Sequence, residues 1–359
     1  MNEVRAAAPQ LADIEPYDPK YIPAEVMVSA NENPIDVPFE LRREVERAVR
    51  KVAFNRYPDP LANDLRDLIA EANGLEREQV IMGNGGDELL FNTALAWGGP
   101  GRTFLNFPPT FSVYKNNAQL TNTRIVDIPR LENFELDEAS IIPRLAAGDI
   151  DFTIVTSPNN PTGNLVTGNF VRRMCEASDA LVMVDEAYFE FSRYTLRPLL
   201  DDYENLVILR TFSKAFSLAG VRMGYLLGSE RVIREFKKVR QPYSVDAVSQ
   251  AIARVVYENR AQFERSIDQI IAERERIVAA LRACEHVRVF PSESNYALFQ
   301  LEESFDAGAV WQGLLDRGVL VRDFSRSPGL ERCLRVSVGT AEENDRFLVE
   351  LAAVLSEQL

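Results

Sequence analysis

Seven short apolar runs between residues 79 and 228 constrain the fold more than any other feature of the chain: QVIMGN, RTFLNF, TRIVDI, DFTIVTS, ALVMVDE, NLVILRT and MGYLLG. Helical segments separate them. A strand with one face in water alternates apolar and polar residues, whereas these runs are β-branched or apolar nearly throughout. They need cover on both sides, which predicts an α/β fold whose sheet is buried on both faces.

The flanking segments differ. Residues 1–38 are rich in Pro, Asn and Glu with little periodicity, and read as an extended arm. Apolar residues at 41, 45, 48, 49 and 52 predict a helix over 39–53. From 246 the character changes. Phe263, Ile267, Ile270, Ile277 and Leu281 keep helical spacing, and Arg274 breaks the seam a coiled coil would need, so this is a helix linking two domains. HVRVF, YALFQL, VLVRDF and CLRVSVG then predict a small sheet, closed by a helix whose Thr340 and Glu343 fit a capping box. The expected division is an arm over 1–38, a large domain over 39–245 and a small C-terminal domain over 246–359.

Composition narrows the chemistry. The net charge of −14 makes nucleic acid a poor partner, yet a few arginines in a cleft can still hold a small anion. No run approaches the length of a membrane span, and the N-terminus lacks a basic start followed by an apolar stretch, so a cytoplasmic protein without membrane partners is expected. Cys175, Cys284 and Cys333 lie far apart and read as reduced, mostly buried thiols. The single histidine, His286, sits at the edge of a strand-like run and reads as structural. No metal site is expected, and the chemistry must be run without imidazole.

Three strand-like runs end in reactive residues: DFTIVTS leads into PNNPTG, ALVMVDE into AYFEFS, and NLVILRT into FSKAF. Ligands of open α/β sheets sit at the carboxyl ends of strands, where Asn160, Asp185, Tyr188 and Lys214 could converge. Asp185 and Glu186 could instead bind magnesium, although the GxxxxGK[ST] loop that goes with such sites is absent. GNGGDELL (83–90) is either an anion cup at a helix start or an ordinary turn capped by Asp87. A lysine that forms a Schiff base could hold an aldehyde cofactor and later shuttle its proton. Pyridoxal 5′-phosphate needs that lysine, a carboxylate for the ring nitrogen, donors for the ring oxygen, a phosphate cup and a stacking aromatic. The chain offers Lys214; Asp185; Asn160 with Tyr188; Gly85, Gly86 and Asp87 with Thr211, Ser213 and Arg222; and Phe111.

Taken together, SPNNPTG, VDEAYFEFS and RTFSKAFSLAGVRMGY resemble the fold-type I aminotransferases that use pyridoxal phosphate. SANENP, NRYPDP, GNGGDELL, SESNYALF, VLVRDF and CLRVSVGTAEENDRFL narrow the resemblance to the histidinol-phosphate aminotransferase family, over nearly the whole chain. The resemblance implies a mostly parallel sheet in a large domain and a smaller α+β C-terminal domain. It also implies a transaminase of histidine synthesis acting on histidinol phosphate and 2-oxoglutarate.

The same resemblance assigns roles. Lys214 carries the cofactor and moves the substrate's proton, Asp185 keeps the ring nitrogen protonated, and Asn160 and Tyr188 bond the ring oxygen. Thr211, Ser213, Arg222 and the backbone of Gly86 and Asp87 hold the phosphate. Arg335 receives glutamate's carboxylate, while Tyr17, Asn33 and Arg322 belong with substrate. Tyr57 matches a tyrosine that reaches the neighbouring subunit's cofactor, which implies a homodimer with shared sites. Ile35-Asp36 replace the family's usual Tyr-Gly, Phe111 a commoner tyrosine, and Ser217 a commoner Ala or Gly. Rival readings are an aromatic amino acid aminotransferase, threonine-phosphate decarboxylase and a cofactor-binding regulator.

Overall fold

A computed structural model describes residues 4–12, 14 and 22–358. A short strand, β1 (Val26–Met27), precedes seven strands that match the seven runs: β2 (Val80–Asn84), β3 (Thr103–Asn106), β4 (Arg124–Asp127), β5 (Phe152–Thr156), β6 (Leu181–Asp185), β7 (Leu206–Thr211) and β8 (Met223–Gly228). These seven form one sheet in the order β2-β8-β7-β6-β5-β3-β4, in which β8 alone pairs antiparallel.

The sheet is covered on both faces, as the unbroken apolar runs require. Successive side chains of a strand point to opposite faces. On β6, Val182 and Val184 join one apolar cluster with Phe170 and Met174, whereas Leu181 and Met183 join a second with Phe104 and Phe152. β7 divides likewise, with Leu206 and Ile208 on one side and Val207 and Leu209 on the other.

The helix expected over 39–53 runs only from Phe39 to Val49. Beyond it, Lys51 N donates to Ala48 O and Val52 N to Val49 O, tight turns that lead the chain into NRYPDP. The long helix is Glu264–Arg282, with Phe263 in a 3₁₀ turn ahead of it. Arg274, expected to interrupt an apolar seam, is buried and donates to Ser294 O at 3.1 Å.

A second sheet is antiparallel throughout. It contains β9 (Val287–Val289), β10 (Tyr296–Leu301), β12 (Arg322–Asp323) and β13 (Cys333–Ser337), in the order β12-β13-β10-β9. The run VLVRDF is shared between two sheets, because its first part, β11 (Val319–Leu320), pairs parallel with β1. The arm therefore docks through residues 26–28, with Val28 N donating to Leu320 O and Ser337 N to Val28 O. The closing helix, Ala341–Gln358, has the expected capping box: Thr340 N donates to a Glu343 carboxylate oxygen and Glu343 N to Thr340 Oγ1. His286 lies against Phe305 with Nδ1 3.1 Å from Glu302. No helix among the described residues is long and apolar enough to cross a membrane.

Candidate active site

β2, β5, β6 and β7 run in one direction, so their carboxyl ends share an edge of the sheet. Register sets what meets there: Thr156 is opposite Asp185, and Thr211 and Gly83 both face Gly224. The loops leaving these ends carry Gly85, Asn160, Tyr188 and Lys214.

Asp185 ends β6 and is 5% exposed. Its Oδ2 accepts from Tyr114 Oη at 2.7 Å and its Oδ1 from Ala187 N at 3.0 Å. Burial pushes the carboxyl up to about 6 despite these donors, so the site holds a desolvated carboxylate suited to a cationic N–H. Glu186, the other candidate magnesium ligand, points to the opposite face and pairs with buried Arg210 at 2.9 Å. It also accepts from Leu196 N.

Lys214 Nζ donates to Ala30 O at 3.1 Å and stands 5.9 Å from the Tyr188 ring centre. Protein crowds the amine although part of the residue remains accessible. That crowding, with the positive charges of Arg335 and Arg222, pushes Lys214 down to about 8. An ordinary lysine at pH 8 is neutral in only about one molecule in 250; here the amine is poised between its two forms.

Glycine geometry shapes the other end of the edge. Gly85 opens the helix Gly85–Trp97 at φ 74°, and a Cβ there would stand 2.6 Å from Arg222 Nη2. A Cβ on Gly224 would stand 2.8 Å from the carbonyl carbon of Gly85. Only glycine lets the helix start and Arg222 approach this closely. The first N–H groups of a helix have no intrahelical acceptor, and the side chain of Asn84, just before this helix, caps none of them. Asp87, read as a possible cap, pairs with Arg222 at 2.8 Å instead. Thr211 Oγ1 donates to Ser213 Oγ at 3.0 Å, and Arg222 Nη1 reaches the same oxygen at 3.4 Å. Hydroxyls, a guanidinium and backbone N–H groups thus converge here, a donor set of the kind that can hold an anion.

Arg335, in the middle of β13, is 5% exposed. It bonds Asn160 Oδ1 and donates to Ser29 O at 2.7 Å, joining the sheet edge to the arm. Arg322 lies opposite Arg335 in register, and their guanidinium carbons stand 5.9 and 5.4 Å from the Phe324 ring centre. Asn33 lies close by but donates to Ala215 O at 3.1 Å, the carbonyl next to Lys214. Ser217, left-handed at φ 57°, donates to Ile35 O at 2.7 Å. Phe111 packs edge-on against Tyr114 at 5.6 Å.

The structure thus brings together Lys214, Asp185, Tyr188, Asn160, Arg335, Arg322, Asn33, Phe111, Thr211, Ser213, Arg222, Gly85, Gly86 and Asp87. Tyr57 joins none of these bonds: the residue is 81% exposed, and its ring stacks on Tyr243 at 4.5 Å. Tyr17 lies outside the described residues. Sequence reasoning missed Tyr114, although its place three residues after Phe111 was a usable signal, and missed Asn31, which donates to Tyr188 Oη at 3.0 Å.

Known proteins with the same layout give this site a context. The family described as Aminotransferase class I and II matches residues 25–351. Histidinol-phosphate aminotransferase 1 of Carboxydothermus hydrogenoformans is 39% identical over 355 residues, covering 99% of this chain and 100% of the relative. The solved histidinol-phosphate aminotransferase of Sinorhizobium meliloti in complex with pyridoxal-5′-phosphate superposes with a TM-score of 0.89 at 22% identity, over 99% of each chain. L-threonine-O-3-phosphate decarboxylase of Porphyromonas gingivalis superposes with a TM-score of 0.80 at 23% identity, over 92% of this chain and 99% of its own. Two different reactions share this backbone, so the superpositions speak to fold alone.

Proposed function

This chain belongs to the class I and II aminotransferase family, and from that premise we propose that it exchanges an amino group between L-histidinol phosphate and 2-oxoglutarate. The products are imidazole-acetol phosphate and glutamate, in the cytoplasmic synthesis of L-histidine. The observation that carries the substrate is the end-to-end likeness to the Carboxydothermus enzyme. Two arginines sharing the Phe324 ring support it, since both amino donors are anionic.

Pyridoxal 5′-phosphate is the cofactor, and the residues present fit it. The glycine cradle and uncapped helix start suit its phosphate, and the desolvated Asp185 suits its ring N–H. Gly86, Asp87, Thr211, Ser213 and Arg222 would hold the phosphate, Lys214 the aldehyde carbon, Asn160 and Tyr188 the ring oxygen, and Phe111 a ring face. When bound, this group supplies an electron-poor ring that takes up the electron pair left at the substrate's Cα.

The protein's own work is positioning and proton transfer. Asp185 stays ionised against the ring N–H, a fixed charge in a water-poor site. Lys214 Nζ, when free to act as a base, would take the proton from the substrate's Cα and hand it to the carbon that had been the cofactor's aldehyde carbon. Arg335 presents a planar fork to glutamate's α-carboxylate. Histidinol phosphate carries a phosphorylated hydroxymethyl group there, which Arg335, Arg322 and Tyr17 would share, with Asn33 alongside.

In the proposed division, 39–245 holds the cofactor, 246–359 supplies both arginines, and the arm over 1–38 packs with the small domain and the partner. The working unit is a homodimer in which Tyr57 of one protomer reaches the phosphate cup of the other. Phe39, Phe54 and Tyr57 are 65%, 81% and 81% exposed, large side chains that a partner's surface would cover. Sedimentation at micromolar protein is expected to give twice the 40.5 kDa chain mass; a single-chain mass overturns the dimer.

The visible spectrum tests the reaction. Glutamate and low concentrations of histidinol phosphate are each expected to bleach the yellow holoprotein, and 2-oxoglutarate to restore the colour. Bleaching by phenylalanine but not histidinol phosphate would move the protein to aromatic substrates. Release of carbon dioxide from threonine phosphate would make it a decarboxylase.

A further inference from the structure

Residues 29–31 lay three consecutive contacts against three groups of the site. Ser29 O accepts from Arg335 Nη2, Ala30 O accepts from Lys214 Nζ, and Asn31 Nδ2 donates to Tyr188 Oη. Any residue could supply the two carbonyls, but the third contact needs a particular side chain.

The surroundings of Asn31 are built to deliver that amide. It is 1% exposed and held at φ 55°, a left-handed backbone that asparagine tolerates better than most residues. Its N–H donates to Ser337 Oγ at 2.8 Å, and its carbonyl accepts from Asn295 Nδ2 at 3.0 Å. Ser337 Oγ, having accepted that N–H, donates its own proton to Asn31 Oδ1 at 3.0 Å. With Ser337 Oγ donating to Oδ1, Nδ2 is the amide atom on the Tyr188 side. An N–H aimed at Tyr188 Oη has a directional consequence. Tyr188 cannot give its hydroxyl proton to Asn31, and must aim it at another acceptor.

We infer that Asn31 is a positioning residue for Tyr188: it occupies one lone pair of the phenol oxygen and turns the Tyr188 proton toward the cofactor's ring oxygen. The inference rests on the cofactor reading above, in which Tyr188 faces that oxygen. Its structural content is that β13, which carries Arg335, also orients Tyr188 through Ser337. Substrate recognition and cofactor tuning thereby share one strand.

Asn31→Gly is the test. Glycine keeps the left-handed backbone and both main-chain bonds, so only the amide is lost. The visible colour of the holoprotein is titrated with pH in the wild type, Asn31→Gly, Tyr188→Phe and the double variant. Lys214 and Tyr296, which face the Tyr188 ring, are unchanged in all four. A bond donated to the ring oxygen favours its anionic form, so losing the donor raises the pH of the colour change. Tyr188→Phe is expected to raise the midpoint by about one pH unit, and Asn31→Gly by less, in the same direction. The double variant moves no further than Tyr188→Phe. For Asn31→Gly, kcat falls several-fold with KM little changed.

An unmoved midpoint in Asn31→Gly, or additive shifts in the double variant, overturns the inference. Thermal midpoints of the four proteins isolate a packing role, which lowers stability alike with or without the Tyr188 hydroxyl and leaves the colour titration alone. A wild-type protein that never turns yellow refutes the cofactor reading instead.

Discussion

Lys214→Ala will fold like the wild type and turn over substrate at least about a thousand-fold more slowly. The two halves of this result have separate causes. The rate falls because no other described amine or imidazole reaches this edge of the sheet. Arg335 and Arg222, the neighbouring cations, are guanidinium groups, which carry donors only and offer no acceptor for a proton. The fold survives because Lys214 is a strained guest. Burial and those two cations hold its amine down to about 8, so its charge costs the folded state free energy at neutral pH. Alanine removes that cost along with the single bond to Ala30 O. Steady-state kinetics with glutamate, beside far-ultraviolet dichroism and thermal unfolding, check both halves. Turnover above about a tenth of the wild-type rate would remove Lys214 from the mechanism.

Asp185→Asn should slow the reaction by about a hundred-fold or more while stabilising the cofactor-free protein. The amide keeps the shape and can still meet Tyr114, but it brings no charge to balance a protonated ring nitrogen. The stability effect follows from the sign of the carboxyl's displacement. Burial raises Asp185 to about 6, so the folded chain holds this proton more tightly than the unfolded chain does. Its contribution is therefore present below about pH 4 and is lost as pH rises through 6. Asparagine does not titrate. The variant's advantage should grow between those values and level off above them, at no more than about 3 kcal/mol. Thermal unfolding of both cofactor-free proteins at pH 5 and pH 8 tests this. A variant less stable than the wild type at pH 8 would mean that Asp185 is not a desolvated carboxylate.

Local chemistry made much of the molecule legible before any contact was known. A strand covered on both faces must be apolar at nearly every position, so the seven runs mark β2 to β8. The capping box needed only Thr340 and Glu343, four positions of chain. Asp185 and Lys214 were legible because the first ends such a strand and the second comes three residues after one. Residues whose roles depend on distant partners were harder to read. Asp87 has the right type and place for a cap, yet Arg222, 135 residues away, takes its carboxylate. VLVRDF reads as one strand because its pattern is continuous, but the arm claims its first part and β13 the rest.

The amino-acid sequence alone determined the α/β class, the order of the strands along the chain and the cofactor chemistry, because each depends on residue type at short range. The tertiary structure decided which way Asn31 aims its amide, that Glu186 serves Arg210, and that two arginines 13 positions apart face one aromatic ring. Those outcomes depend on which segments meet. The meeting is set by sheet register and by the arm's parallel pairing with β11, where residues nearly three hundred positions apart come within one hydrogen bond.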